Sequence, residues 1–331
     1  QAMGAHPFVR AAPTGRRIAV VGAGPAGLAC AHRLALLGHD VTLLDARPKG
    51  GGLNEYGIAA YKAPDGFAQA ELDWLLGIGG ITLRQGVALG RDETLEELRA
   101  DYDAVFLGLG LAVSRELGLT GENAPGLMAA VDYIATLRQA EDLSALPVPR
   151  RAIVVGAGNT AIDMAVQLKR LGADEVTLVY RRGYEAMSAT GHEIEIAKVN
   201  GVRIRTWASP LEVLLDDAGR VAGMRFEETR MDGGRLARTG AFIDIAADAV
   251  FKAIGQAIAP PAESDTLAQG LWRDGERIRV DAKLRTAVPG IYAGGDCVAL
   301  GQDLTVQAVQ HGKLAALAIH NDIQAGAAWP T

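Results

Sequence analysis

The chain has 331 residues, 49% of them hydrophobic and 22% charged, with a formal net charge of −6. That length allows two domains with their own cores, and that composition excludes a disordered chain. The acidic balance, with no basic block, excludes the usual footprint of nucleic-acid binding, and no apolar run approaches a membrane span.

The first predicted strand is Ile18-Ala19-Val20-Val21, a short β-branched run of the kind buried in parallel sheets. It runs into Gly22-Ala23-Gly24-Pro25-Ala26-Gly27, a dinucleotide fingerprint. A helix follows with Leu28, Cys30, Ala31, Leu34, Ala35 and Leu37 on its apolar face, and Gly38 marks its end. The next strand, Val41-Thr42-Leu43-Leu44, closes on Asp45, whose carboxylate suits the adenosine ribose of FAD or NAD. Thr120 to Gly126 is a Gly/Pro-rich crossing.

The pattern then repeats. Ala152-Ile153-Val154-Val155 leads into Gly156-Ala157-Gly158-Asn159-Thr160-Ala161. Ile162, Ala165, Val166, Leu168 and Leu171 give the second helix its apolar face, and Gly172 ends it. The strand Val176-Thr177-Leu178-Val179 ends in Tyr180-Arg181-Arg182, where an acid would suit NADH. Arginine matches a phosphate geometrically, so this site leans towards NADPH without excluding NADH. Ala161 in place of the third glycine fits the same lean. Alternating runs from Val202 to Ile254, with turns at Asp216–Gly219 and Met231–Gly234, predict a small antiparallel sheet. The return crossing runs from Gly255 to Pro261.

Near the end, Gly290 to Asp296 reads as a strand and a glycine turn that carries a carboxylate. Gly295 and Asp296 are candidates for the ribityl chain of a flavin. Thr305 and Val306 open a helix whose N-terminus would stabilise the negative charge of a reduced flavin ring. Two βαβ units in one chain predict two bound dinucleotides, a flavin and a nicotinamide. The expected fold is α/β with two Rossmann-like domains, the second inserted into the first. The FAD domain is expected at 16–119 and 256–325, the NAD(P)H domain with its small sheet at 120–255, and a connector at 1–15.

These motifs resemble a known group. Val20 to Leu28, Gly51 to Lys62, Gly156 to Asp163, Val179 to Arg182, Ala253 to Gln256 and Ala293 to Cys297 are similar to the FAD/NADPH half of the glutamate synthase small subunit and of dihydropyrimidine dehydrogenase. The stretch Met187 to Gly191 leans towards the NAD(P)H-facing subunit of the bacterial pyrimidine enzyme. The resemblance implies a pyridine nucleotide-disulfide oxidoreductase-like fold without the redox disulfide. It implies that Gly52, Leu53 and Lys62 touch FAD, that Gly108 and Gly110 lie at a crossing on the FAD side, and that Ala253, Ile254 and Gly255 meet the nicotinamide nucleotide. It also implies a partner domain or subunit carrying iron–sulfur clusters and FMN. The relatives' N-terminal cluster domain is not seen here, and residues 1–15 read as the connector after it. Asp45 stands where many relatives have Glu.

The implied step is hydride transfer from nicotinamide C4 to flavin N5, with electrons passed on to reduce uracil or thymine. No side-chain acid or base is required for it. None of the six histidines has metal-ligand spacing, and His311, near the flavin-end helix, is the one to watch. With Cys30 and Cys297 alone, a Cys-x-x-Cys pair, a four-cysteine cluster and a disulfide framework are excluded. A reducing cytoplasm is the expected setting, and residues 1–15 lack the apolar core of a signal peptide. Three rival readings remain: a glutamate synthase small-subunit-like electron-input module, a thioredoxin-reductase-like flavoprotein and a non-catalytic FAD-binding docking subunit.

Overall fold

Short apolar strands that alternate with helices build two parallel sheets, each in its own unit. The computed structural model describes residues 6–259, 265–271 and 277–326, so Pro261 and the first five residues of the expected connector lie outside them. The first unit takes Gln1–Glu55, Ala63–Val113 and Ala257–Thr331; the second takes Tyr56–Lys62 and Ser114–Gln256.

In chain order the first unit opens with β1 (Arg17–Val21), α1 (Pro25–Leu36), β2 (Asp40–Asp45), the short α2 (Leu53–Tyr56), α3 (Phe67–Leu76), β3 (Ile81–Gln85), α4 (Leu95–Asp101) and β4 (Ala104–Leu107). After β5 (Val113–Ser114), the second unit contributes β6 (Leu127–Ala129), α5 (Ala130–Gln139), β7 (Arg151–Val155), α6 (Asn159–Arg170), β8 (Glu175–Val179), α7 (Gly191–Val199) and β9 (Arg203–Arg205). It continues with β10 (Ala208–Leu215), β11 (Val221–Asp232), β12 (Arg235–Ala246) and β13 (Ala249–Lys252). Past β14 (Gln256–Ala257), the first unit resumes with α8 (Thr266–Leu271), β15 (Ile291–Ala293) and α9 (Thr305–Gln324).

The first sheet runs β15-β4-β1-β2-β3 and the second β6-β13-β7-β8-β9, every pair parallel. In both, the fingerprint follows the central strand. Alternation along those strands decides the packing. Ile18 and Val20 of β1 join the core under α1 and α9, while Ala19 and Val21 join the core on the other face. In β7, Ala152 and Val154 pack with α5, α6 and α7 residues. Ile153 and Val155 pack instead with Val213, Met224 and Phe226, so the antiparallel sheet β10-β11-β12 covers that face.

The two fingerprint helices stop in the same way. Past α1, Gly38 has φ 89° and donates to Ala35 O while His39 donates to Leu34 O. Past α6, Gly172 has φ 103° and donates to Lys169 O while Ala173 donates to Leu168 O. These are paired left-handed caps that satisfy the last carbonyls and turn the chain into the next strand.

The domain limits differ from expectation. The crossings fall at 113/114 and 256/257, not at 119/120 and 255/256, and residues 56–62 join the second unit. The reason is local packing: Leu117 and Leu119 lie against the second unit's core, and Tyr61 lies against its α6 side. Glu122 fixes the entry, accepting hydrogen bonds from the amides of Leu117 (2.6 Å) and Gly118 (2.7 Å) and from Lys252 Nζ (3.0 Å). Burial alone would raise its carboxyl; the Leu117 amide, Lys252 and the Gly118 amide outweigh this and hold it at about 2, below the ordinary glutamate value of 4.5. The ionised group therefore stabilises the fold fully above pH 4.5, and that contribution is lost as the pH falls towards 2. Glu122→Gln is expected to destabilise the protein by roughly 1–3 kcal/mol at neutral pH, with the gap from wild type closing below pH 4.5. Melts followed by circular dichroism across that range measure it; a gap independent of pH contradicts the assignment.

Candidate functional site

In the first unit the turn from β1 into α1 leaves no room for side chains. Gly22 has φ 98°, its amide donates to Leu44 O at 2.7 Å, and a Cβ there would overlap the Gly108 carbonyl oxygen. At Gly27 a Cβ would overlap the carbonyl oxygen of Gly22. Gly24 is the N-cap of α1 and Pro25 follows at its first position, with no side-chain cap and no acid in the first turn. The helix's positive end is thus free of side-chain acceptors, with Ala26 buried in its first turn. Gly52 lies against this turn: a Cβ on it would stand 2.7 Å from Gly24 Cα. Next to it, Leu53 is partly exposed.

Asp45 is buried and grips the same turn. Its Oδ2 accepts from the Ala23 amide at 2.7 Å and its Oδ1 from the Arg47 amide at 2.8 Å. Burial pushes its pKa up, and the two amides pull it back only in part. One lone pair on each oxygen remains for another donor. Gly108, at the end of β4, donates to Val21 O at 2.8 Å, and Gly110 follows with φ 61°.

The C-terminal turn belongs to the same unit. The Gly295 amide donates to His311 Nδ1 at 3.2 Å, which places the ring proton on Nε2. Burial lowers the His311 pKa, so the buried ring is a neutral acceptor with a structural task. Burial, and then the charge of Asp303, raise the Asp296 carboxyl. Cys297 is fully buried and donates to Gly294 O at 3.2 Å; burial lifts its thiol to about 11. Thr305 and Val306 are the first residues of α9, which has no side-chain cap and no acid in its first turn; Val306 is 75% exposed.

The second unit contains a cavity of about 840 Å³, within the range of cofactor sites. Its floor repeats the first turn. Gly156 has φ 147°, and a Cβ on it would overlap the Ala253 carbonyl oxygen. The Ala253 amide in turn donates to Val155 O at 2.8 Å. Gly158 is the N-cap of α6, again without a side-chain cap or an acid in the first turn. Asn159 is exposed, Thr160 lines the cavity, and Ala161 is fully buried against the core. Ala253, Ile254 and Gly255 line the same space.

Two of the expected site residues make other contacts here. Arg181 lines the cavity, but Arg182 does not: it is exposed, and its carbonyl accepts from the Trp207 amide at 3.1 Å. Both arginines lie beyond the end of β8 at Val179, in the bend that leads away from the strand. Lys62 belongs to the second unit, where its ammonium pairs with Asp163 at 2.5 Å and Glu193 at 2.9 Å. Burial pulls it down, but those carboxylates hold it above the usual lysine value.

Sequence reasoning missed other cations at the cavity. Lys252 lines it, held by Glu116 at 2.5 Å and Glu122 at 3.0 Å. Arg238 of β12 lines it as well, paired with Glu227 at 2.9 Å. Neither carries a motif, because both arrive through sheet pairing with residues distant in sequence. Among the described residues, no group of three or more His, Cys, Asp or Glu is placed to hold a metal, and no helix is long and apolar enough to cross a membrane.

Comparison with known proteins places this geometry. A profile of the family "Pyridine nucleotide-disulphide oxidoreductase" matches residues 16–312. The NADP(+)-dependent formate dehydrogenase subunit beta of Moorella thermoacetica is 35% identical, over 97% of this chain and 46% of that protein. The glutamate synthase [NADPH] small chain of Escherichia coli is 34% identical, over 93% of this chain and 69% of that protein. Among solved structures, Mycobacterium tuberculosis FprA in complex with NADPH shares the fold at TM-score 0.75 and 20% identity, over 95% of this chain and 87% of that one. The chain spans about half the length of most curated relatives it matches.

The thiols give this site a direct test. With Cys30 and Cys297 both buried and their pKa values raised by burial, neither is expected to react with a thiol reagent at pH 8 in the folded protein, and both should react in denaturant. A fast-reacting native thiol would contradict the inert assignment.

Proposed function

This chain belongs to the pyridine nucleotide-disulphide oxidoreductase family, and we propose that it is the electron-input half of an NADPH oxidoreductase, binding FAD in its first unit and NADPH in its second. The observation that carries this reading is the cavity of the second unit. There the uncapped N-terminus of α6 and Arg181, just past β8, line one space. An amide-rich helix end suits a pyrophosphate, and an arginine past the second strand suits a 2′-phosphate.

FAD, when bound, supplies the group that takes hydride from nicotinamide C4 and hands electrons on singly. The chain's own residues bind and orient. Gly22, Gly24, Pro25, Ala26 and Gly27 bring the open end of α1 to the flavin nucleotide's pyrophosphate, and Asp45 receives ribose hydroxyls on its spare lone pairs. Gly52 and Leu53 close over this turn, with Gly108 and Gly110 beyond it. Gly295 and Asp296 hold the ribityl chain, and Thr305 and Val306 bring the positive end of α9 to the pyrimidine edge. Gly158, Asn159, Thr160 and Ala161 take the NADPH pyrophosphate, and Ala253, Ile254 and Gly255 its nicotinamide end. The Cβ-free turns at Gly22 and Gly156 support both assignments.

The electrons leave to an iron–sulfur or flavin partner, since two buried cysteines on different core clusters ligate no four-cysteine cluster. The same cysteines leave a thioredoxin-reductase-like thiol exchange without its redox pair. For the final acceptor we propose a pyrimidine, on the Met187–Gly191 stretch. The second reading, an imino intermediate as in glutamate synthase, is favoured by the 34% identity to a glutamate synthase small chain.

Arg181→Ala tests the cavity. NADPH kcat/KM should fall about ten-fold or more for loss of a charge-assisted contact, with NADH little changed. Steady-state assays with an artificial acceptor measure both; an equal loss for the two donors, or none, would contradict the assignment.

A further inference from the structure

We infer that Arg238 is a second specificity-determining arginine, which closes with Arg181 on the 2′-phosphate of the nicotinamide nucleotide. The inference rests on the NADPH assignment above, and it concerns a residue on a different element from the fingerprint.

The β11–β12 hairpin brings the two arginines together. Thr229 of β11 pairs in register with Arg238 of β12. The same Thr229 donates its hydroxyl to the carbonyl of Arg181 at 2.7 Å. One residue thus links both arginines, and both line the same cavity. The hairpin is irregular at this point. Glu227 pairs with Phe242 and Thr229 with Arg238, so residues 239–241 bulge opposite Glu228. Gly240, at φ 80°, sits in the bulge. A bulge re-aims the side chains beside it, and such bulges cluster next to functional sites.

The Arg238 side chain is held without being used up. Glu227 is buried; its Oε1 accepts from the Gly240 amide at 3.2 Å and its Oε2 from Arg238 Nη1 at 2.9 Å. A guanidinium carries five N–H donors in a rigid fork, so one bond to Glu227 leaves the rest for an anion. Half of the side chain remains exposed, at 53%. Among the described residues, the Arg181 guanidinium has no ion-pair partner. Two arginines, of which only Arg238 is paired with a carboxylate, leave a net positive charge at that wall. Its place settles which phosphate it suits: the wall lies by the residue just past β8, the ribose end, whereas the pyrophosphate belongs at the N-terminus of α6.

The test is equilibrium binding of two fragments, 2′,5′-ADP and 5′-AMP, by calorimetry on the full chain. Arg238→Ala and Arg238→Gln, the latter keeping most of the stem, are compared with wild type and with Arg181→Ala. The expected result is about a ten-fold weaker Kd for 2′,5′-ADP in both Arg238 variants, with 5′-AMP within about two-fold. Unchanged 2′,5′-ADP binding in the Arg238 variants, or equal loss of both fragments, overturns the inference. If Arg181→Ala alone loses 2′,5′-ADP, the cavity assignment stands and this one fails. If wild type binds neither fragment, both fail.

Discussion

A strand that turns at once into a helix exposes the helix's first amides, and a nucleotide pyrophosphate reaches them only where no Cβ stands in the way. The structure meets that condition twice. At Gly22 the space for a Cβ is taken by the Gly108 carbonyl, and at Gly156 by the Ala253 carbonyl. Two other helices are capped by side chains: Thr94 and Glu97 form a capping box on α4, and Thr190 caps α7, whereas α3, α5 and α9 have no side-chain cap. What sets α1 and α6 apart is the combination of an uncapped first turn with a glycine turn in front of it, which leaves the positive helix end open to an anion.

The two units share this turn and differ in what surrounds it. In the first, a carboxylate at the end of β2 reaches back to the turn and fixes it through the Ala23 amide. In the second, Arg181 follows β8, and its backbone is held from outside the parallel sheet by Thr229. The second sheet's far face is covered by an antiparallel sheet, not by helices. That substitution has a functional consequence, because a hairpin can present side chains at the cavity that a helix packed on the sheet would bury. Arg238 is the residue it presents.

Much of this was legible in the sequence, for physical reasons. Strand, turn and helix of each fingerprint depend on residues adjacent in the chain, so their periodicity and glycine spacing show directly. Gly38 and Gly172 mark helix ends because only a left-handed residue completes the cap. The unit boundary was less legible: Leu117 and Leu119 read as part of the first unit until their packing with the second core is seen. Arg182 illustrates the limit of a motif, since of two adjacent arginines past β8 only Arg181 lines the cavity. Lys62 shows the same limit, its charge answered by Asp163 and Glu193, a hundred or more positions away. Arg238 carries no local signature, because its placement comes from register across a bulged hairpin.

The central claim is that reducing equivalents pass from a nicotinamide bound in one unit to a flavin bound in the other. The most direct measurement is anaerobic addition of NADPH to the FAD-reconstituted protein while the visible absorbance is recorded in a stopped-flow cell. The account predicts a yellow protein that bleaches within the mixing experiment and recovers its colour when an electron acceptor is admitted. A protein that takes up no FAD, or one that stays yellow under saturating NADPH and NADH, would contradict it.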